Sequence, residues 1–187
     1  LIMIAELIQE VEKKMGVSID HLHHELGKLR TGQASVALLD DLKVDYYGNP
    51  TPLKQVATLG TLDSQTLTIT PWEASILKDI EKAIQTSDLG LTPNNDGKSV
   101  RLTIPPLTNE RRQQLVKLVK KYAEECKVAI RNVRKHVNDK LKKLEKNHEI
   151  SEDESHKGVD DIQKITDKFV ADVDKISHAK EKDVMDV

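Results

Sequence analysis

The segment PPLTNERRQQLVKLVKKYAEECKVAIRNVRKHVNDKLKKLEKNH, residues 105–148, decides how this chain folds. Leu115, Val119, Tyr122, Cys126, Ile130, Val133, Val137, Leu141 and Leu144 recur within it at spacings of three and four. That is the spacing of a single apolar stripe along a helix, so one long helix is expected across the segment. Its charge is as one-sided as its hydropathy. Thirteen Lys and Arg stand against five acids, a surplus of about +8 in a chain of formal net charge −2. The compensation lies in residues 150–187, which hold eleven acids and six lysines. Whole-chain charge hides this segregation, yet the local field is what selects partners.

At about 100° per residue, Lys120, Lys127, Arg131, Arg134, Lys135 and Lys142 project away from the apolar stripe. A solvated charged face would explain many lysine-rich helices. Here few acids interrupt the cations, Asn138 sits among the arginines, and guanidinium forks match phosphate geometry better than ammonium points do. A phosphate-binding ridge is the favoured reading.

Working outward, Ile4, Ile8, Val11, Met15, Ile19, Leu22, Leu26 and Leu29 make a second stripe, expected to run as a helix to Gly32. A third helix is expected after Ser151, which starts a capping box with Glu154. Its apolar positions are Val159, Ile162, Ile165, Phe169, Val173 and Ile176. Three long helices with one stripe each bury those stripes against one another, which predicts an elongated three-helix bundle. Between the first two helices the texture changes. Leu42 to Tyr47, Leu53 to Leu59, Thr66 to Thr70 and Ser99 to Ile104 read as strands. Gly48-Asn49-Pro50 and Asn94-Asn95-Asp96-Gly97 read as turns, and Pro71-Trp72-Glu73 as the opening of a helix to about Thr86. The fold class is thus α+β, a bundle of residues 1–29 and 107–187 with a small β/α/β domain, 32–104, inserted into it. The crossings, Arg30-Thr31-Gly32 and Pro105-Pro106, have the composition of a hinge.

Catalytic signals are weak. His21 and His24 share a helix face, but no further ligand completes a metal set. Asn95-Asp96-Gly97 lacks the later ligands of a calcium loop, and no Gly-rich phosphate loop or nucleophile–base set is present. Trp72 and the Tyr46-Tyr47 pair are able to stack on bases, but a lone tryptophan in a small domain reads first as core. Cys126, the only cysteine, lies in the apolar stripe and reads as a buried structural thiol. No secretory, transit or membrane-spanning segment is evident, so a cytoplasmic setting is expected.

The order of these parts, together with LRTGQAS (29–35), KVDYYGNPTPL (43–53), SDLGLTPNNDG (87–97), IPPLTNERR (104–112), AIRNVRKHVNDKLKKLEK (129–146), EISEDE (149–154) and IQKITDK (162–168), closely resembles the bacterial ribosome recycling factor family over nearly the whole chain. The resemblance implies an L-shaped, non-enzymatic monomer without cofactor or metal. It also implies that the bundle lies along large-subunit ribosomal RNA. With elongation factor G and GTP, such a factor splits the post-termination ribosome and releases mRNA. Arg131 and Arg134 match the family's RNA-contacting arginines, and Arg112 matches another; Lys120, Lys127 and Lys135 extend the ridge. Two departures stand out: Gln33 replaces the family's usual arginine, so that a contact made there is either weakened or supplied by Arg30, and Lys135 stands where arginine is common, which keeps the charge but loses the fork. The rival reading is a helical interaction protein whose basic helix is neutralised by its own acidic third helix.

Overall fold

Among the residues that the computed structural model describes, 2–29 and 31–186, three long helices form: α1 (Ile2–Gly27), α3 (Asn109–Lys146) and α4 (Glu152–Met185), with a short α2 (Leu77–Gln85) between the first two. Two compact units result, one joining the residues up to Leu26 with Gln113–Asp186, the other spanning Gly27–Arg112.

The first unit is a bundle of α1, α3 and α4. At 1.5 Å per residue the 38 residues of α3 extend roughly 57 Å. Its ends are set locally. The Thr108 hydroxyl accepts the Arg111 N–H at 3.1 Å, satisfying one of the first-turn donors that a helix leaves open. At the other end His148 adopts a left-handed φ of 57°. There the N–H of His148 donates to Glu145 O and that of Glu149 to Leu144 O, both at 2.9 Å, the paired bonds of a Schellman stop. The expected stripe is buried at Leu115, Val119, Cys126, Ile130, Val137 and Leu141, with Ala123 added, while Tyr122, Val133 and Leu144 are half-buried at its margins. Cys126 donates from Sγ to the Ser18 carbonyl of α1 at 3.4 Å, and burial pushes its thiol pKa up.

Two expectations about the helices need correction. The first helix stops at Gly27, short of Gly32. A Cβ at Gly27 would stand 3.6 Å from Ala37 Cβ, and glycine holds a helix only weakly, so the chain departs there. The third helix keeps its capping box: Ser151 Oγ accepts the Glu154 N–H at 3.1 Å, and Glu154 accepts the Ser151 N–H at 2.9 Å. Its buried line, however, runs through Ser155, Gly158, Ile162, Thr166, Val173, Ser177 and Val184. Val159, Ile165, Phe169 and Ile176 flank that line, half-buried. Small residues take the centre because α4 approaches α3 closely: a Cβ on Gly158 would meet Leu141 Cδ1 at 3.0 Å. The Thr166 hydroxyl spends its proton on Ile162 O at 2.8 Å, which makes its burial inexpensive.

The second unit has its own core. Strands β3 (Ala57–Asp63), β4 (Thr66–Pro71), β5 (Pro93–Asn95) and β6 (Val100–Thr103) form an antiparallel sheet in the order β3-β4-β6-β5. Alternate residues Leu67 and Ile69 of β4, and Val100 and Leu102 of β6, are buried, as are Leu77, Ile80 and Ile84 of α2. A separate hairpin pairs β1 (Lys43–Tyr46) with β2 (Asn49–Pro52). The strand expected at Leu53–Leu59 begins only at Ala57. Pro52 leads into a 3₁₀ turn at Leu53–Gln55, closed by the Val56 N–H on Leu53 O. Residues 49–50, expected as turn, belong to β2, where a two-stranded ribbon leaves edges that tolerate Pro50 and Pro52. The helix expected to open at Pro71-Trp72-Glu73 starts at Leu77 after a 3₁₀ turn, because Pro71 still pairs with Ala57. Trp72 is not core: it is 66% exposed. Thr31 and Gly32 are buried, with Gly32 at φ 75° and packed against Leu107, whereas Pro105 and Pro106 are exposed. All four fall within the sheet unit, and Arg30 lies outside the described residues.

Candidate nucleic-acid interface

The sequence places a cation near every turn of α3, and packing sorts those cations into three groups. Lys120, Arg131, Lys135 and Lys142 are exposed on the side away from the buried stripe. Lys117, Lys121 and Lys146 are exposed with them and were not singled out by sequence, although the same angular projection puts them there. Within this face stands one acid paired to the ridge: Glu124 Oε1 lies 3.3 Å from Arg131 Nη1, with both side chains about half exposed. An exposed pair of this kind is worth little, so it leaves the guanidinium available for exchange onto a phosphate.

The second group leans onto α4. Lys127, its side chain only 19% exposed, forms an ion pair with Asp174. Arg134 Nη1 donates to Gln163 Oε1 at 3.1 Å, and Gln163 Nε2 donates on to Asp167 Oδ1 at 2.8 Å. These two cations therefore do not project opposite the stripe as the wheel suggested. They sit on its α4 flank, where a long side chain bends toward the nearest acceptor. Neutralisation by the acidic helix is real but local.

Arg112 forms the third group. It shares the face of α3 that carries Leu115 and Val119 and is half-buried. Its Nε is shielded from solvent, and no partner among the described residues accepts from it. Lys140, on the α1 flank, is committed as the cations of the second group are: its Nζ lies 2.9 and 3.0 Å from the two Glu10 oxygens, and Lys14 reaches Oε1 at 2.7 Å. These bonds, with Lys14 first, hold the Glu10 pKa down at about 2. No group of three or more His, Cys, Asp or Glu among the described residues is placed to hold a metal ion. None of their helices is long and apolar enough to cross a membrane.

Comparison with known proteins gives the chain its family. A family model described as ribosome recycling factor matches residues 22–185. The chain belongs to the ribosome recycling factor family. The ribosome-recycling factor of Nitratidesulfovibrio vulgaris is 54% identical over 181 residues, covering 97% of each chain. That of a Geobacillus species is 52% identical over 185 residues, covering 99% of this chain and all of the relative. A solution structure of the ribosome recycling factor superposes with a TM-score of 0.80 at 38% identity, covering 98% of both chains. Models for the T. thermophilus ribosome recycling factor and the E. coli elongation factor G bound to the E. coli post-termination complex include a chain 49% identical to this one, with a TM-score of 0.69. That match covers 97% of this chain and 98% of the other.

Proposed function

We propose that this chain binds the post-termination ribosome through the outward face of α3 and, with elongation factor G, promotes its separation into subunits and the release of mRNA. The observation that carries the reading is the exposed row Lys120, Arg131, Lys135 and Lys142 in a chain whose net charge is slightly negative. Such a row attracts a polyphosphate surface, while the acids of α4 keep the rest of the bundle from binding it indiscriminately. Lys127, Arg134 and Arg112 take part at the edges of this face. Lys127 and Arg134 exchange an intramolecular acceptor for an RNA oxygen, and Arg112 brings an Nε that nothing in the described chain satisfies.

The role is one of binding and mechanical work in the cytoplasm, without a reaction or a cofactor of its own; GTP is consumed by the elongation factor. In this division of labour the bundle, 1–29 with 107–187, holds the ribosome, and the inserted domain, 32–104, takes the push. In this proposal the crossings at 30–32 and 105–106, whose described residues fall within the sheet unit, set the permitted directions of its swing. The two prolines, which fix their own φ, are the chemical basis for that restriction, while Gly32 holds a φ of 75° that side-chain-bearing residues rarely adopt. The test is light scattering from post-termination ribosomes supplied with this chain, elongation factor G and GTP. Scattering should fall as subunits part, and omission of either protein should abolish the fall. Intact ribosomes in the complete mixture would overturn the proposal.

A further inference from the structure

The hairpin joining β1 to β2 turns on Tyr47 and Gly48, both with positive φ, 49° and 84°. A two-residue type I′ turn requires this backbone, and Asn or Gly adopts it at less cost than an aromatic residue. Tyr47 receives no burial in return, being 76% exposed. Instead its hydroxyl donates to Glu73 Oε2 at 2.9 Å, and that of Tyr46 donates to Glu73 Oε1 at 2.8 Å. The two rings meet edge to face with centroids 4.6 Å apart. Next to Glu73 stands Trp72, whose exposed indole is fixed by an N–H bond to Thr58 Oγ1 at 3.0 Å. Tyr46, Trp72 and Glu73 border a recess of about 290 Å³. Tyr46 packs against the edge of the unit's core, whereas Tyr47 and Trp72 stand outside it and are not needed to complete it.

Three rings and a carboxylate are thus pinned in place on a surface. Rings already immobilised lose little conformational freedom when a partner covers them, which is what makes Tyr and Trp effective contact residues. The chemistry of the occupant follows from the charge. A carboxylate at the centre repels phosphate, and residues 32–104 carry nine acids against six Lys and Arg, so nucleic acid is disfavoured here. Ring faces attract cations, and each Glu73 oxygen keeps a lone pair beyond the one its tyrosine uses. A guanidinium is flat enough to stack and forked enough to donate to the carboxylate at once.

We infer that Tyr46, Tyr47, Trp72 and Glu73 form a docking site for an arginine-bearing segment of a protein partner. The site stands apart from the α3 ridge in residues and in sign of charge, and it does not depend on the ribosomal reading.

Trp72 is the chain's one tryptophan, so its emission reports on this site alone. The intact chain is titrated with N-acetyl-Gly-Arg-Gly-Arg-Gly amide, with the same peptide carrying citrulline for arginine, and with octauridylate. The arginine peptide should give a saturable change with a Kd on the order of 1 mM, and both the citrulline peptide and Glu73→Gln should weaken it by about tenfold or more. Tyr47→Phe, which keeps the ring and loses only the tether, should weaken it less than Tyr47→Ala. Circular dichroism shows whether each variant is folded, and Glu73→Gln carries the test if Tyr47→Ala is not. No saturable response to the arginine peptide, equal binding of the citrulline peptide, or undiminished binding by Glu73→Gln would overturn the inference. Tighter binding of octauridylate than of the arginine peptide would replace it with a nucleic-acid site.

Discussion

Glu10 shows how a single side chain ties the acid stability of the bundle to its packing. Lys14 comes from its own helix and Lys140 from α3, and together they lower the Glu10 pKa from 4.5 to about 2. A carboxyl whose folded pKa is depressed contributes stability that is complete above its unfolded pKa and is lost as pH falls through the folded one. Between about pH 4.5 and about pH 2, the urea midpoint should therefore fall more steeply for the native chain than for Glu10→Gln. Parallel curves would mean that the network contributes nothing. The ridge makes a second prediction at this scale. Arg131 and Lys135 are exposed, so Arg131→Glu with Lys135→Glu should leave the thermal midpoint nearly unchanged, each surface change lying within about 0.5 kcal/mol. Ribosome binding should weaken by at least about tenfold, and its dependence on salt should become shallower by roughly one unit of slope per lost contact. Normal binding by the folded double variant would remove this face from the interface. Arg134 is the wrong partner for such a test, since its reversal also breaks the bond to Gln163. The sequence made the sign and the face of these cations legible, because both follow from residue type and helical angle. It did not reveal that Lys127 and Arg134 lean onto α4, because that depends on which acceptors a neighbouring helix brings within reach of a long side chain.

At the scale of elements, what could be read was what is settled within a few residues of chain. The Ser151–Glu154 capping box and the stripe of α3 are such features, and both form as expected. Strands β2 and β5 are short and rich in Pro and Asn, and they exist only because β1 and β6 lend them hydrogen bonds. Local propensity sees turns there. The buried line of α4 shifted for a related reason. Apolar spacing locates a helix face to within one residue, but close approach to Leu141 selected Gly158, Thr166 and Ser177 for the centre of the contact. One element end is open to improvement. His148 holds the left-handed C′ position of the α3 stop, which costs a side-chain-bearing residue roughly 1–2 kcal/mol and glycine almost nothing. His148→Gly should raise stability by about 1 kcal/mol, part of the relief being offset by the freer unfolded chain. An increase in urea midpoint at unchanged slope is the expected observation. A decrease would show that the imidazole makes a stabilising contact that outweighs the strain.

At the scale of the whole molecule, the two units keep separate cores. The sheet unit buries a cluster running from Leu38 to Ile104, and the bundle buries residues of α1, α3 and α4. The ion pairs and hydrogen bonds that stitch the bundle, Glu10 with Lys140, Lys127 with Asp174 and Arg134 with Gln163, also lie entirely within it. A shortened chain in which residues 1–29 run through a flexible linker into 107–187 therefore loses none of these partners, and it should unfold in one cooperative transition. It also keeps every exposed cation of the ridge, so it should bind ribosomes with most of the native salt dependence and compete with the full-length chain. Splitting is a different demand. Force from elongation factor G must be delivered to something, and the inserted unit is the part of the chain left over once the ridge and its supports are accounted for. Subunit dissociation, followed by light scattering at saturating bundle with elongation factor G and GTP present, should accordingly be absent although the bundle is bound. Efficient dissociation under those conditions would mean that the bundle acts as a wedge by itself, and the inserted unit would then need another purpose.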